Sequence, residues 1–231
     1  MHVYETARPS HTPPRDHSVE LADGRQLAYA EWGPADGEPV VFFYGTPGSR
    51  LMCPDERATE EAGVRLITFD RAGYGRSDIA PQQIGWAAFV PDVVELLDHL
   101  RLDRVPLVGW SGGGPHALAL AILEPDRVLS VGLASSGIVP QRVRDEVQVL
   151  IDEIAEDPIG RRDLARQRCQ WLIDDPGELA RLTERYVPEA TAAVGLLEMM
   201  QESMRDAGRA GIEGYVNDYV TSWCIDFDLD L

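Results

Sequence analysis

One serine of the sequence has the neighbours of a nucleophile. Ser111 lies in Gly109-Trp110-Ser111-Gly112-Gly113, between an apolar run that predicts a strand and an alanine-rich stretch that predicts a helix. A sharp strand-to-helix turn would strain the serine, and the flanking glycines remove side chains that would collide with backbone. The hydroxyl would then be exposed at the edge of a sheet, where it could attack an acyl carbonyl once a base takes its proton.

Two backbone N–H groups are candidates for holding the oxyanion that this attack forms. The N–H of Gly112 lies near the N-terminus of the predicted helix, where the helix dipole favours negative charge. The N–H of Thr46 lies in FFYGTPGSR, residues 42–50, directly after a predicted strand. Taken alone, this segment could equally be a plain Gly-Thr-Pro-Gly turn. Its occurrence together with the serine turn favours the oxyanion role.

The base is harder to find, because none of the five histidines is well placed. Three lie in or beside the N-terminal arm, namely His2, His11 and His17. His99 belongs to the helix before the nucleophile strand, far from the carboxyl ends of the strands. His116 follows Ser111 on the same predicted helix, more than one turn deeper and rotated away, so we expect a packed or surface histidine rather than a base.

The elements around Ser111 alternate between strands and helices. Strand patterns cover residues 17–21, 26–32, 39–44, 64–69, 105–108 and 128–133. Helical patterns cover 51–61 and 84–100, and a third follows Ser111 and ends near Leu123. This order predicts an α/β fold with a mostly parallel sheet and helices on both faces. Residues 141–222 show only helical patterns and predict an all-helical lid over the carboxyl edge of the sheet.

The same patterns divide the chain into four parts. We predict a disordered arm over residues 1–16, the α/β core over 17–140, the lid over 141–222, and the start of a further core segment over 223–231. No apolar run reaches the roughly 18 residues of a membrane span, and the first residues do not resemble a signal peptide. The sequence therefore predicts a cytoplasmic protein without an anchor.

Composition excludes several kinds of chemistry. The net charge is −18 and every one of the 21 basic residues is arginine, so a lysine nucleophile, a Schiff base and a Walker-type lysine are absent. The acidic balance also argues against nucleic acids and anionic membranes as partners. The cysteines, Cys53, Cys169 and Cys224, have neither disulfide nor zinc spacing. We expect no metal and no cofactor.

Three segments resemble motifs of the α/β-hydrolase superfamily. YGTPGSR is similar to its His-Gly-x-Pro-Gly oxyanion loop, FDRAGYGRSD to its Asp-Arg-x-Gly-x-Gly-x-Ser segment, and GWSGGG to its nucleophile elbow. The resemblance extends from about His17 to the end, and points to the lid-bearing branch of esterases, epoxide-hydrolase-like and proline-iminopeptidase-like enzymes. It implies Ser111 as nucleophile and Thr46 and Gly112 as oxyanion donors. Epoxide hydrolases and haloalkane dehalogenases have an aspartate where Ser111 stands.

The chain departs from the family pattern at two places. Tyr44 stands where a histidine usually supports the oxyanion loop. The family also has its acid and its histidine after the lid, whereas the sequence stops at Leu231, where a seventh strand would begin. The resemblance therefore implies that about 60 residues of the pattern are missing. Loss of a triad member typically costs on the order of 10⁴ to 10⁶ in turnover, so we expect very low activity.

The missing strands have a structural consequence as well. The apolar strand from Val128 to Leu133 would become an exposed edge, which predicts a homodimer through that edge. Three aspartates alternate in the tail and are predicted to be linker residues rather than the triad acid, namely Asp226, Asp228 and Asp230.

Three interpretations of function remain. The leading one is a serine hydrolase that cleaves a carboxylic ester of a small, partly hydrophobic acyl group. An N-terminal peptide bond is the second substrate class, because GTPG resembles the iminopeptidase loop. The alternatives are a non-catalytic ligand- or partner-binding module, and an enzyme whose acid and base come from another polypeptide.

Overall fold

A single six-stranded sheet organises the molecule. The computed structural model describes residues 13–80, 82–136, 156–157, 162–170, 174–175 and 196–224. The strands are β1 (Arg15–Glu20), β2 (Gln26–Trp32), β3 (Glu38–Phe43), β4 (Val64–Phe69), β5 (Val105–Trp110) and β6 (Val128–Ala134). They lie in the order β1-β2-β4-β3-β5-β6. The predicted α/β fold class is confirmed.

The strand directions decide which loops meet. β1 pairs with β2, and β2 with β4, in antiparallel fashion, whereas β4, β3, β5 and β6 are parallel neighbours. The carboxyl ends of parallel strands lie at the same edge of a sheet. Phe43 at the end of β3 is in register with Gly109 near the end of β5. The loop of residues 44–50, called the oxyanion loop after its predicted role, and the turn at Ser111 therefore lie side by side.

Helices connect the strands and continue beyond them. They are α1 (Glu56–Glu61), α2 (Val90–His99), α3 (Gly113–Leu123), α4 (Arg162–Cys169), α5 (Leu196–Ala207) and α6 (Glu213–Cys224). Within 141–222 the described residues form no strand, in agreement with the helical patterns, while residues 141–155, 158–161, 171–173 and 176–195 lie outside the described part. Whether these helices act as a lid stays a prediction.

Apolar residues are buried on both faces of the sheet. One face joins α2 and α3 to the strands through Val93, Leu96, Leu107 and Leu120. The other face packs Phe42 and Leu66 against Met52 and against Met199 and Met200 of α5. The alternation of Phe42 and Phe43 between the two clusters follows from the two-residue period of a strand.

The predicted boundaries of the parts need two corrections. The arm predicted over residues 1–16 is wrong at its end, because Arg15 and Asp16 belong to β1, paired with β2. Asp16 also accepts hydrogen bonds from the guanidinium of Arg50 at 2.7 and 2.9 Å, contacts that a local pattern does not reveal. Residues 1–12 lie outside the described part. The boundary predicted after residue 222 falls inside α6, which continues to Cys224, and residues 225–231 lie outside the described part.

Two helices also begin later than the predicted patterns. α1 starts at Glu56 rather than near Leu51, because the Asp55 side chain caps it by accepting from the N–H of Ala58 at 2.8 Å. α2 starts at Val90, because the preceding residues form turns around Gly85, whose φ of 99° is not helical. In the part of the chain that the structure describes, no helix is long and apolar enough to cross a membrane.

Candidate active site

Ser111 occupies the tight turn between β5 and α3. Its φ is +52°, in the left-handed region that non-glycine residues rarely adopt. Its backbone is held from both sides, because its N–H donates to the carbonyl of Ala134 at 3.1 Å and its carbonyl accepts from the Ser136 hydroxyl at 2.8 Å. A strained backbone that is held in this way is typical of a functional turn.

The backbone at the end of β3 leaves no room for a side chain at position 113. A Cβ at Gly113 would lie 2.0 Å from the carbonyl oxygen of Phe43 at the end of β3. A Cβ at Gly109 would lie 2.6 Å from the Cα of Gly114. The glycines of the predicted motif therefore let α3 approach β3 and β5, and this approach brings Ser111 to the oxyanion loop.

The structure brings the three predicted site residues together. A Cβ placed at Gly45 would be 2.9 Å from the Ser111 Cβ and 3.3 Å from its Oγ. A Cβ placed at Gly112 would be 3.3 Å from the Thr46 backbone nitrogen and 3.1 Å from its Oγ1. The Ser111 hydroxyl, the Gly112 backbone and the Thr46 backbone thus lie around one small space. Their roles as nucleophile and oxyanion donors remain predictions.

Thr46 is itself exposed, but its side chain contacts a buried polar cluster that the sequence did not reveal. Its hydroxyl donates to Asp218 Oδ2 at 2.6 Å and accepts from Arg71 Nη2 at 3.1 Å. Arg71 forms an ion pair with Asp218 at 2.5 Å, and the Tyr74 hydroxyl donates to the same carboxylate at 2.8 Å. The Asp218 carboxylate therefore accepts four hydrogen bonds from three residues close to the predicted oxyanion site.

The charges of this cluster compensate each other. Burial opposes ionisation of Asp218, but Arg71 and the hydrogen bonds outweigh it, so the pKa of this carboxyl is lowered. Arg71 is itself buried, and it lies over the ring of Tyr44 with 4.5 Å from its Cζ to the ring centroid. The ion pair thus places one positive and one negative charge beside the site.

Tyr44 supports the oxyanion loop through Arg71. The Tyr44 carbonyl accepts from Arg71 Nη1 at 3.1 Å, and its hydroxyl accepts from the Arg71 backbone N–H at 3.3 Å. Burial raises the pKa of Tyr44 well above its ordinary value, so the hydroxyl stays neutral. Tyr44 therefore holds the start of the loop to the turn that follows β4.

His116 is buried, and its polar partners among the described residues do not include the Ser111 hydroxyl. Its ring packs against those of Trp86 and Phe89, with centroids 5.2 and 4.8 Å away. Its Nδ1 donates to the Gly112 carbonyl at 3.0 Å, because a carbonyl can only accept, and its Nε2 lies 3.9 Å from Asp218. Burial, with the charge of Arg71, lowers the pKa of His116 to about 4. The imidazole is therefore neutral at pH 7.

The other described histidines lie elsewhere. His17 stacks on Tyr29 and lies 3.4 Å from a Glu31 oxygen, and His99 meets the edge of the same Tyr29 ring. Among the described residues, no hydrogen bond reaches the Ser111 hydroxyl. His2, His11 and the three aspartates of the tail, Asp226, Asp228 and Asp230, lie outside the described part.

Competing nucleophiles are suppressed among the described cysteines. Cys53 and Cys169 are buried and free. Burial raises the pKa of the Cys53 thiol to about 11 and that of Cys169 to about 12, so both are protonated near neutral pH. The residues that the structure describes also contain no His, Cys, Asp and Glu group that could hold a metal ion.

Only part of the polar cluster around Asp218 could be predicted from the sequence. Arg71 and Tyr74 lie in the quoted segment FDRAGYGRSD, which already drew attention to the turn after β4. Asp218 lies 147 residues after Arg71, inside an amphipathic helix in which acidic residues are common. Only the packing of α6 against the core shows that Asp218 is buried.

Known proteins share this fold and part of this sequence. A family model described as alpha/beta hydrolase fold matches residues 38–165. A non-heme chloroperoxidase of Streptomyces lividans is 34% identical over 167 residues, which are 69% of this chain and 58% of the relative. A proline iminopeptidase of Arabidopsis thaliana is 30% identical over 131 residues, 55% of this chain and 34% of the relative. The chain spans about half the length of the curated relatives it matches.

Solved structures agree in fold at lower sequence identity. A bromoperoxidase of Bacillus anthracis superposes with a TM-score of 0.66 at 23% identity, over 92% of this chain and 75% of that one. An esterase of Exiguobacterium antarcticum gives a TM-score of 0.63 at 22% identity, over 90% of this chain and 73% of that one. At these identities the likeness shows the fold alone.

Proposed function

Since the chain belongs to the alpha/beta hydrolase family, we propose that it is a serine hydrolase that cleaves carboxylic esters through an acyl-serine intermediate at Ser111. The observation that supports this proposal is the strained Ser111, φ +52°, beside the backbones of Thr46 and Gly112. A reactive hydroxyl next to two backbone N–H groups is the arrangement that acyl transfer needs.

The reaction would proceed in two steps. The Ser111 oxygen attacks the ester carbonyl carbon and loses its proton, while the N–H groups of Thr46 and Gly112 stabilise the oxyanion. The bond from the carbonyl carbon to the alcohol oxygen then breaks, the alcohol leaves with a proton, and the acyl group stays on Ser111. Water attacks the acyl-serine, and the acid leaves as Ser111 regains its proton.

The base for these proton transfers is proposed to lie outside the described residues. His116 is occupied by the Gly112 carbonyl and by its aromatic neighbours. Without an imidazole on the hydroxyl, only the oxyanion hole and substrate binding accelerate the reaction. We therefore expect low turnover of the 231-residue chain and slow release of the acyl group.

Acetylation by p-nitrophenyl acetate tests the proposal. We expect one acetyl group per chain on Ser111, found by peptide mass mapping, with a burst of nitrophenolate followed by a slow phase. Lysine is absent from the chain, so background acetylation of amines is small. Ser111→Ala should remove the burst. Acetylation at other sites only, or an equal burst in Ser111→Ala, would overturn the proposal.

A peptide substrate is the second candidate, because several similar relatives are named proline iminopeptidases. The discriminating measurement compares p-nitrophenyl acetate with proline p-nitroanilide on the same preparation. Faster Ser111-dependent release from the anilide would favour the peptidase.

A binding module without catalysis is the remaining candidate. It is favoured by one observation, namely that the described residues provide no imidazole on the Ser111 hydroxyl. In that case the wild-type chain and Ser111→Ala would react equally slowly with the ester.

We further propose a small acyl compound as the ligand and the cytoplasm as the location. The net charge of −18 supports the absence of nucleic-acid and membrane partners, since it opposes binding to anionic surfaces. Cell fractionation and a sedimentation assay with anionic vesicles would check both points.

A further inference from the structure

Helices α5 and α6 hold the oxyanion loop at both of its ends. Near its start, the Thr46 hydroxyl donates to Asp218 of α6 at 2.6 Å. Near its end, the Ser49 N–H donates to the Ser203 hydroxyl of α5 at 2.8 Å. Arg50, the last residue of the loop, donates to Asp206 of α5 at 2.6 Å. The core also holds the loop, through Arg71 at its start and through Asp16 and Asp70 at Arg50, so the contacts of the two helices add to those of the core.

The contact at Thr46 is the one closest to the chemistry. The Thr46 backbone nitrogen is the predicted oxyanion donor, and its own side chain is tied to Asp218. Asp218 is nearly inaccessible to solvent, with 4% of its surface exposed, and is held by Arg71 and Tyr74. A rigid, buried carboxylate is a suitable anchor, because it has no water with which to exchange its donors.

We propose that Asp218 is a positioning residue that orients the Thr46 N–H through the Thr46 hydroxyl, so that helix α6 completes the oxyanion hole. This inference rests on the proposed function of Ser111. It assigns to the helical region a role in transition-state stabilisation, in addition to any role in covering the site. Displacement of α6 would leave Ser111 in place but would release the oxyanion donor.

The charge pattern agrees with an anchor rather than an acid in a triad. Asp218 Oδ1 lies 3.9 Å from His116 Nε2, too far for a hydrogen bond, whereas Oδ2 receives Thr46, Tyr74 and Arg71. Arg71 also balances its negative charge, so Asp218 can lie beside the oxyanion site without repelling the developing charge.

Thr46→Val tests the anchor because valine keeps the backbone N–H and nearly the same volume but lacks the hydroxyl. We expect acetylation of Ser111 by p-nitrophenyl acetate to slow by roughly 10- to 100-fold, as misplacement of a donor by about 1 Å does in other enzymes. Hydrogen exchange of the amides in residues 45–50 should become faster.

Asp218→Asn should show both effects, which keeps the test valid if one variant does not fold. Thr46→Ser, which keeps the hydroxyl, should retain more of the rate than Thr46→Val.

Thr221→Val is the matched control. Thr221 lies one turn after Asp218 on α6, and its buried hydroxyl accepts from the Gly85 N–H at 2.9 Å, away from the oxyanion loop. Like Thr46→Val, the Thr221→Val variant loses a threonine hydrogen bond between α6 and the core. The rate and the exchange of residues 45–50 should stay near the wild-type values in this variant.

The two readouts separate the possible failures. If the wild-type chain does not acetylate Ser111, the proposed function fails, and exchange alone then decides whether Asp218 anchors the loop. If Thr46→Val and Asp218→Asn match Thr221→Val in loop exchange, the anchor is overturned. Faster loop exchange in both variants with an unchanged acetylation rate would overturn the positioning role.

Discussion

The backbone geometry of Ser111 has an energetic cost. A left-handed conformation costs a non-glycine residue about 1 kcal/mol or more. Glycine adopts a φ of +52° without this penalty, whereas alanine would pay the same penalty as serine. The turn therefore keeps a strained serine where a glycine would be more stable, which is expected of a residue retained for its hydroxyl.

The strain predicts an order of stability between two variants. Ser111→Gly should exceed Ser111→Ala by about 1 kcal/mol in free energy of unfolding, measured by urea denaturation, because only glycine relieves the backbone. Both variants lack the hydroxyl, so each serves as the other's control. Equal stability, or a more stable alanine variant, would mean that the backbone at this turn is not strained.

His116 gives the stability a defined dependence on pH. Burial lowers its pKa from 6.5 to about 4 in the folded protein. Between these values the unfolded chain binds a proton that the folded chain does not, so stability falls as the pH falls through this window. Asp218, whose pKa is lowered from 3.8, contributes stability that is lost only at lower pH. The two groups therefore act in separate ranges.

His116→Gln tests this dependence. On going from pH 8 to pH 5 the wild-type chain should lose about 2 kcal/mol more in free energy of unfolding than the variant, which has no imidazole to titrate. At pH 8 both side chains are neutral, so the difference measured there gives the packing cost of the substitution. An identical pH dependence of the two proteins would contradict the buried, neutral state of His116.

The positions of the candidate site residues were predictable only where short local motifs carry them. Ser111, Gly112 and Thr46 lie in short motifs, and the fold brings those motifs together. Asp218 could not be predicted, because its partner Thr46 lies 172 residues earlier and no local pattern links the two. Burial of a carboxylate depends on tertiary packing, which hydrophobic periodicity does not encode for polar residues.

At the scale of elements, the approach of α3 to the sheet depends on two missing side chains. A Cβ at Gly113 would lie 2.0 Å from the Phe43 carbonyl oxygen, and one at Gly109 in β5 would lie 2.6 Å from the Cα of Gly114 in α3. Backbone cannot yield by this distance without moving α3 away from β3. The helix and the Ser111 turn move together, so the elbow and the oxyanion loop would separate.

Gly113→Ala should therefore be strongly destabilising. We expect a loss of at least about 3 kcal/mol in free energy of unfolding, or no folded protein, because the added methyl group would collide with backbone atoms that cannot move aside. Gly132→Ala is the control, since a Cβ at Gly132 in β6 would meet its nearest atoms at 3.9 Å, an ordinary contact. Thermal denaturation of the two variants checks the prediction, and similar melting temperatures would contradict it.

Most strands were predictable from sequence because their apolar patterns are long enough to be distinct. The bounds predicted for β2 and β4 match the structure, and β5 continues two residues beyond the predicted 105–108. The starts of α1 and α2 were not predictable from periodicity, since Asp55 caps the first and turns precede the second. Helix ends depend on caps and on turns, whereas periodicity reports only the apolar face.

At the scale of the whole molecule, β1 and β6 form the two edges of the described sheet, and β6 is the edge that carries exposed apolar side chains. β6 pairs only with β5, and Leu129 and Leu133 of β6 are 56% and 49% exposed. Val131, between them, packs against the core cluster beside α2 and α3, so the two leucines continue that apolar face outward. An exposed apolar edge strand is a template for pairing with another chain.

We therefore predict that the 231-residue chain forms a homodimer by pairing β6 with β6 of a second copy. Analytical ultracentrifugation at micromolar concentration should give a dimer. Leu129→Arg should shift it to monomer, since a charge on an edge strand opposes pairing. Ile79→Arg is the control variant, since it makes the same kind of change at a 42% exposed side chain whose neighbour Asp78 is hydrogen-bonded to Gln26 of β2. A clean wild-type monomer, or a dimer that survives in Leu129→Arg, would contradict this interface.

The most direct test of the account is covalent labelling of the intact chain by a fluorophosphonate, followed by peptide mass mapping. The account predicts one phosphonyl group per chain, on Ser111 and on no other serine, and none in Ser111→Ala of unchanged circular dichroism. A wild-type chain that is folded but stays unlabelled at Ser111, or is labelled at another serine instead, would contradict the claim that this hydroxyl is a nucleophile.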